Sequence, residues 1–157
     1  MSDGTATTRP LDYAILNGAY GAATAGVVYL LWRQGREEAL SMKELPLLAA
    51  ATFTLAEVLT HEKIADWLRQ PFVIETADHR PDSPRGSGMR RAVGELMTCS
   101  RCAGSWSALA LVGLRASSPV AGRTVASLLA LSGVNDFLQA HFRWLTEKAN
   151  AAASANG

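Results

Sequence analysis

Residues 13–32 constrain the fold more than any other part of the sequence, because these twenty consecutive positions carry no charge. A helix rises 1.5 Å per residue, so this stretch would span about 30 Å, which is the thickness of a bilayer's hydrocarbon core. Tyr13, Tyr29 and Trp32 place aromatic rings near its two ends, where such rings favour the membrane interface. The preceding residues are polar and lack a signal-peptide pattern, so the stretch is expected to remain as a transmembrane helix.

Small residues recur at every fourth position within this stretch, at Ala14, Gly18, Ala22 and Gly26. This spacing places them on one helical face, where they let a second helix approach closely in lipid. Each glycine would weaken a helix in water by about 1 kcal/mol, so we interpret the stripe as a helix-packing seam. The alternative is that Ala and Gly are simply frequent in this chain.

Three further helices are predicted over residues 45–67, 102–114 and 124–144. Their charge-free runs are short, a length shared by thin or re-entrant membrane helices and by buried helices of soluble proteins. After the second run, Ile64, Trp67 and Leu68 share one face and predict an amphipathic continuation at the interface. The charged fraction of 18%, below the roughly 25% of soluble domains, favours lipid. The predicted fold is all-α, a compact transmembrane bundle of about four helices, with a soluble four-helix bundle as the alternative.

The length of 157 residues suits one domain. We expect a single helical membrane domain over residues 11–148, with a mobile central loop over 73–98 that is rich in Pro, Gly, Ser and Arg. Residues 1–10 and 149–157 are expected to be disordered ends.

The Lys and Arg residues predict an orientation, because four spans place ten of the fifteen on one side. That side holds both termini and the central loop, and the positive-inside rule assigns it to the cytoplasm of a bacterial cytoplasmic membrane. The other five are Arg33, Arg36, Lys43, Arg115 and Arg123. The net charge of +1 and the lack of a motif that interleaves aromatics with basic residues argue against a nucleic-acid partner.

Cys99 and Cys102 have the spacing that binds one metal ion through two thiolates, or that cycles as a dithiol. Zinc is the metal considered, and its missing ligands would come from a second subunit or from His61 and His79. The neighbouring Arg101, and a helix expected to begin near residue 103, would favour a thiolate. Plain packing or contact with a partner is the third interpretation of the pair.

Other polar residues of the apolar stretches have structural interpretations. Glu57 and His61 are spaced to form a pair on one helical face, and Asp136 and Arg143 to form a cap or ion pair. His61 and Glu62 resemble the start of the His-Glu-x-x-His motif of zinc proteases, but Ala65 stands where that motif requires its second His. No catalytic triad, phosphate loop or dinucleotide fingerprint is found in a convincing context.

Two sequence blocks resemble a known family: LAEVLTHEKIADWLRQPF at residues 55–72 and GELMTCSRCAGSW at residues 94–106. They are similar to the bacterial domain-of-unknown-function family 1360, which includes small sporulation-associated membrane proteins. The residues that carry the resemblance are Glu62, Lys63, Ile64, Arg69, Gly94, Leu96, Cys99, Cys102, Gly104 and Trp106. Ser100 and Arg101 depart from the family pattern, which has Pro and an aromatic residue between the cysteines. The resemblance implies a membrane location and a shared core, and it supplies no activity.

The predicted function is therefore that of a small integral membrane protein acting as a non-enzymatic accessory, assembly or partner-binding component. A homo-oligomer or a larger membrane complex is the expected state, because small-residue seams are present and catalytic groups are scarce. The alternative is a thiol-redox or zinc-binding membrane protein that uses Cys99 and Cys102.

Overall fold

The computed structural model describes residues 9–35, 40–74 and 83–155, and most of them are helical. Within these ranges the α-helices are α1 Pro10–Gln34, α2 Leu45–His61, α3 Asp66–Arg69, α4 Met89–Met97, α5 Ser100–Ser117 and α6 Pro119–Ala155. A 3-10 turn, Lys63–Ala65, precedes α3, and the short strands β1 Val73–Ile74 and β2 Ser83–Pro84 pair antiparallel. The predicted all-α class is confirmed.

The ends of α1 are set by local sequence. Pro10 occupies the first turn, where its missing N–H is not needed, and the Asp12 carboxylate accepts the Arg9 N–H at 3.2 Å. The helix terminates at Gly35, whose φ of +82° lies in the region that favours glycine. Residues 13–32 therefore form one uninterrupted helix, as predicted.

Contacts between side chains fix the directions of the helices. The Tyr20 ring packs edge-on against Trp106 with centroids 5.3 Å apart, and a Cβ on Gly113 would lie 3.2 Å from Val27, so α1 and α5 run parallel. Glu44, just before α2, meets Arg115 near the end of α5, so α2 runs opposite to α5.

Helix α6 runs alongside α2 in the same direction. Arg123 near its start contacts Glu44, and further along the Phe53 and Phe137 ring centroids are 5.7 Å apart. The bundle therefore has two ends. The cysteine end holds His61, Cys99 and the start of α1, and the Glu44 end holds Glu44, Arg115 and Arg123.

The core between α2, α5 and α6 is built mainly from small side chains. Its buried cluster consists of Leu48, Ala51, Leu111, Ala126 and Ala130. Where α2 crosses α6, a Cβ on Gly133 would overlap the hydroxyl of the buried Thr54. Small residues therefore let these helices approach closely.

Several predicted helix boundaries differ from the structure, and α6 begins at Pro119 rather than at residue 124. The predicted helix 45–67 is interrupted, because α2 ends at His61 and Glu62 has extended backbone angles (φ −81°, ψ 139°). Helix α6 runs to Ala155 instead of ending near residue 144, because the added segment is rich in Ala, the strongest helix former. The tail predicted to be disordered is thus helical through Ala155.

The region around the cysteines is also more ordered than predicted. Helix α4 and the β1–β2 pair lie within the predicted loop 73–98. Helix α5 begins at Ser100, not near residue 103, because Cys99 acts as its N-cap. Residues 75–82 lie outside the described ranges.

Among the helices of the described ranges, α1 is the one long and apolar enough to cross a membrane, over Pro10–Arg33. None of the residues in its most apolar window is buried, and the apolar α2 is shorter. The structure thus confirms the predicted helical bundle. That the bundle spans the membrane four times stays a prediction, because one described helix meets the criteria for a span.

Candidate functional site

Cys99 and Cys102 lie together at the start of α5, and both are free thiols. Cys99 has extended backbone angles, and its Sγ accepts a hydrogen bond from the Cys102 backbone N–H at 3.4 Å. Hydrogen bonds from the Cys102 side chain and backbone lower the pKa of the Cys99 thiol, and the backbone and charge of Arg101 add to the effect. At this helix N-terminus, the thiol of Cys99 therefore ionises to a thiolate more readily than an ordinary cysteine thiol.

A cleft of about 410 Å³ opens beside the cysteines, between α1, α4 and α5. Its wall is mostly apolar, with Tyr20, Leu96 and Trp106 among the lining residues, and Cys102 also lines it. At its edge, the Tyr13 hydroxyl donates to the Glu95 carboxylate, which also accepts Arg91 Nε at 3.0 Å. The cleft can accommodate an apolar group next to the Cys102 thiol.

The histidines considered as metal ligands do not join the cysteines in the described part of the chain. His61 Nδ1 lies 3.1 Å from the Glu57 carboxylate and 2.8 Å from the Thr60 hydroxyl oxygen, and His79 is outside the described residues. Over residues 9–35, 40–74 and 83–155, no group of three or more His, Cys, Asp and Glu side chains is arranged to hold a metal ion. Zinc binding therefore stays a prediction that needs ligands from elsewhere.

Residues of the second sequence block of the family resemblance line the cleft or hold the helices around it in place. A Cβ on the buried Gly94 would overlap the Phe72 carbonyl oxygen and lie 3.1 Å from Pro84, so α4 rests directly on the β1–β2 segment. Gly104 faces Ala56 across the α2–α5 contact. With Leu96 and Trp106 on the cleft wall, this block organises the cysteine end of the bundle.

The first sequence block forms the turn that ends α2. The buried Arg69 donates to the carbonyl oxygens of Thr60 and Glu62 and pairs with Asp66. It thereby satisfies the Thr60 carbonyl oxygen, which the end of α2 leaves without an intrahelical partner. Sequence patterns did not identify this capping role, because it depends on the chain folding back on itself after residue 62.

The other three residues that carry the resemblance in that block lie on the surface. Glu62, Lys63 and Ile64 are exposed, and Ile64 and Trp67 have exposures of 76% and 74%. The turn therefore presents apolar side chains next to charged ones, as an interfacial segment would.

A second, acidic groove between α2 and α6 was missed from sequence. Glu57, Glu62 and Asp136 line a cavity of about 280 Å³ whose walls include Phe53 and Phe137. Asp136 is far in sequence from the two glutamates, so only the packing of α6 on α2 brings the three carboxylates together. Within the described ranges, no ion pair joins Asp136 to the predicted partner Arg143.

The small-residue stripe of α1 lies on its outer face. Ala14, Gly18, Ala22 and Gly26 are exposed, and a Cβ on either glycine would meet nothing within 4 Å. The side of α1 that packs on the bundle carries larger residues such as Tyr20 and Val27. The stripe therefore packs on no other described helix of the same chain.

Fold and site together define a small, mainly helical protein that has, among its described helices, one apolar helix of membrane length and a pair of free cysteines at a helix start. Residues 47–142 match the protein family of unknown function DUF1360, and the chain belongs to this family. The family resemblance seen in the sequence is thereby confirmed.

The chain is also similar to the sporulation protein YjcA of Bacillus subtilis (strain 168). The two are 32% identical over 109 residues, which cover 64% of this chain and 92% of that protein. No solved structure matches the chain.

Proposed function

We propose that the chain is an integral membrane protein that acts as a non-enzymatic accessory or assembly component by binding other helices. The observation that carries this proposal is α1, a 25-residue apolar helix with none of its most apolar window buried. An exposed apolar surface of this length is costly in water, and lipid would cover it without further protein contacts.

The proposed arrangement places the shorter helices α2 and α5, and the part of α6 that packs on them, in the same bilayer as α1. Their alternating directions would bring Arg9, Arg91 and Arg101 to the cysteine end and Arg33, Arg115 and Arg123 to the Glu44 end. The whole-chain count of ten basic residues against five supports a cytoplasmic cysteine end in a bacterial cytoplasmic membrane.

Carbonate extraction of membranes from expressing cells tests insertion. We expect the protein to stay with the membrane pellet and to require detergent for release. Orientation is then tested with a membrane-impermeant thiol reagent on intact cells, which should spare Cys99 and Cys102 and react after lysis. Recovery as a monodisperse soluble protein would reject the membrane assignment.

The outward stripe of α1 supports the helix-binding part of the proposal. Gly18→Leu should reduce the mass of the complex purified in mild detergent, because the larger side chain prevents close helix approach. The matched control is Ala23→Leu, which adds a leucine to another exposed part of α1. A stable monomer in the unmodified protein, or an equal effect of both variants, would argue against this role of the stripe.

A second candidate function is thiol–disulfide exchange, which the position of Cys99 at the helix start favours. The Cys99 thiolate would attack a disulfide of a protein substrate and form a mixed disulfide. Cys102, after losing its proton, would then attack Cys99 Sγ and release the substrate as a dithiol. The substrate is reduced, and the pair is oxidised to a disulfide.

Metal analysis and thiol titration of freshly purified protein separate the fates of the cysteine pair. Exchange activity predicts that Cys102→Ser traps mixed disulfides and that Cys99→Ser does not. Zinc lost equally in both variants would instead support metal binding. Two freely alkylated, metal-free thiols with unchanged stability would leave packing or partner contact as their role.

A further inference from the structure

Helix α6 has two faces of different character. The face toward the bundle carries small residues, and Gly122, Ala126, Ala130 and Gly133 along it are buried. The opposite face carries large apolar residues. Five of them, between 49% and 70% exposed, are Leu128, Leu131, Leu138, Phe142 and Leu145.

These exposed residues follow a heptad repeat. Leu128, Asn135 and Phe142 occupy one heptad position, and Leu131, Leu138 and Leu145 occupy the position three residues later. This a/d spacing, sustained over six layers, is typical of a seam between two supercoiled helices. We call these six residues the α6 seam.

Lipid alone does not account for the α6 seam. Helix α6 has 37 residues, about 56 Å, whereas α5 has 18, so its last part extends beyond the cysteine end of the bundle. Phe142 and Leu145 lie in this extension, where Gln139 and Thr146 flank the seam. Trp144, at an outer heptad position, is the other large exposed apolar residue there. An apolar a/d stripe with polar residues directly beside it is the surface that coiled-coil helices bury against each other.

Asn135 indicates which helix covers the seam. It is an exposed polar residue at an a position within the otherwise apolar stripe. In a symmetric parallel pair, the Asn135 side chains of two copies would face each other and exchange hydrogen bonds, which fixes register and favours a dimer. A polar side chain also strengthens helix pairs in lipid.

The charges near the seam are compatible with the same arrangement. Asp136, Arg143 and Glu147 lie at outer heptad positions, and the parallel pairing sets Val134 against Gln139 and His141 against Thr146 of the other copy. No like charges are brought together at these layers. Two copies inserted with the same orientation would also hold their α6 helices parallel.

We infer that α6 joins two copies of this chain through a parallel coiled-coil seam from Leu128 to Leu145, with Asn135 paired across the twofold axis. This inference deepens the proposed function and rests on it, because it names a second copy as the partner of a helix-binding membrane protein. It uses a surface different from the α1 stripe.

Single cysteines test the seam in the full-length protein, in mild detergent and in vesicles, with Cys99 and Cys102 replaced by Ser. Mild oxidation should crosslink Leu131→Cys, Leu138→Cys and Leu145→Cys each to its own counterpart. The control Glu147→Cys, on the outer face, should give less than about a tenth of the product. Crosslinking at one of the three positions alone would indicate antiparallel helices and overturn the inference, and so would equal crosslinking of the control.

A pair of neighbouring substitutions tests the seam with the native cysteines in place. Phe142→Glu should weaken the dimer at least tenfold, and Arg143→Glu, one residue away at an outer position, should leave it unchanged. Both lie beyond the bundle, and circular dichroism checks that the helices remain. If both variants keep the wild-type mass and stay in the membrane, the seam is wrong and the proposed membrane function still stands.

Discussion

The crossing of α2 and α6 at Gly133 provides a quantitative test of the packing. A Cβ added there would overlap Thr54 Oγ1 and lie 3.4 Å from Thr54 Cβ. The hydroxyl donates to the Ala50 carbonyl at 3.1 Å, and a β-branched side chain in a helix has few rotamers, so it has little freedom to move away. Gly133→Ala should therefore strain this contact.

The expected energies follow from two opposing effects. Overpacking a core costs about 1–3 kcal/mol, whereas replacing Gly by Ala inside a helix gains up to about 1 kcal/mol. Gly133→Ala should thus destabilise the protein by up to about 2 kcal/mol. In a Thr54→Ala background the overlapping oxygen is absent and the remaining Cβ contact is at 3.4 Å, so the same change should become stabilising.

The four proteins of this double-mutant cycle can be compared by helical circular dichroism as sodium dodecyl sulfate is titrated into mild detergent. The coupling energy should be about 1–3 kcal/mol, the part of the Gly133→Ala cost that depends on Thr54. Gly18→Ala is the control, because a Cβ there meets open space and should act alike in both backgrounds. Effects of Gly133→Ala that agree within about 0.5 kcal/mol in the two backgrounds would refute the proposed steric contact.

Three further outcomes follow from the polar contacts. Arg69→Ala should lower the free energy of unfolding by about 1–3 kcal/mol in the same titration, because the buried Thr60 carbonyl loses a charged donor, and an effect below about 0.5 kcal/mol would contradict its capping role. The hydrogen bond from Arg123 holds the pKa of Glu44 below its ordinary value of 4.5. The stabilisation of the folded protein by ionised Glu44 is therefore complete above pH 4.5 and is lost as the pH falls through the lower pKa of the folded state. Arg123→Ala should flatten this loss of stability in acid, and an unchanged dependence of stability on pH would argue against the role of Arg123. Iodoacetamide at pH 7 should modify Cys99 more slowly in Cys102→Ala, because the lowered pKa of Cys99 depends first on hydrogen bonding from Cys102, and an unchanged rate would exclude that coupling.

Sequence reasoning succeeded where one strong local signal decided the structure. The charge-free run 13–32 is one helix, and α2 begins at Leu45 as predicted. Both helices were indicated by a continuous apolar run, which requires no knowledge of distant contacts. Family membership was likewise recognisable from two short blocks, and the match over residues 47–142 bears it out.

The parts that sequence missed depend on contacts between distant segments. Helix α4 is short and begins Met-Arg-Arg, and it is held by the close approach of Gly94 to the Phe72 carbonyl oxygen. The break after His61 depends on Arg69 turning back to the Thr60 carbonyl. The acidic groove requires Asp136 to lie beside α2. None of these pairings has a periodic signature in the sequence.

The proposed membrane position has a geometric consequence for bilayer thickness. From Cys99 to Arg115, α5 rises about 24 Å, and the buried Arg115 pairs with Glu44 at 3.3 Å, so charge is fixed at that end. This distance is shorter than a typical hydrocarbon core of about 30 Å, whereas the 25 residues of α1 span about 37 Å. A bilayer thinned to fit α5 would require α1 to tilt or to extend into both interfaces, and Tyr13 and Trp32 near its ends suit the second arrangement. In that arrangement the bundle sets the local membrane thickness and α1 adapts to it, which leaves the outward stripe of small residues open to a second helix.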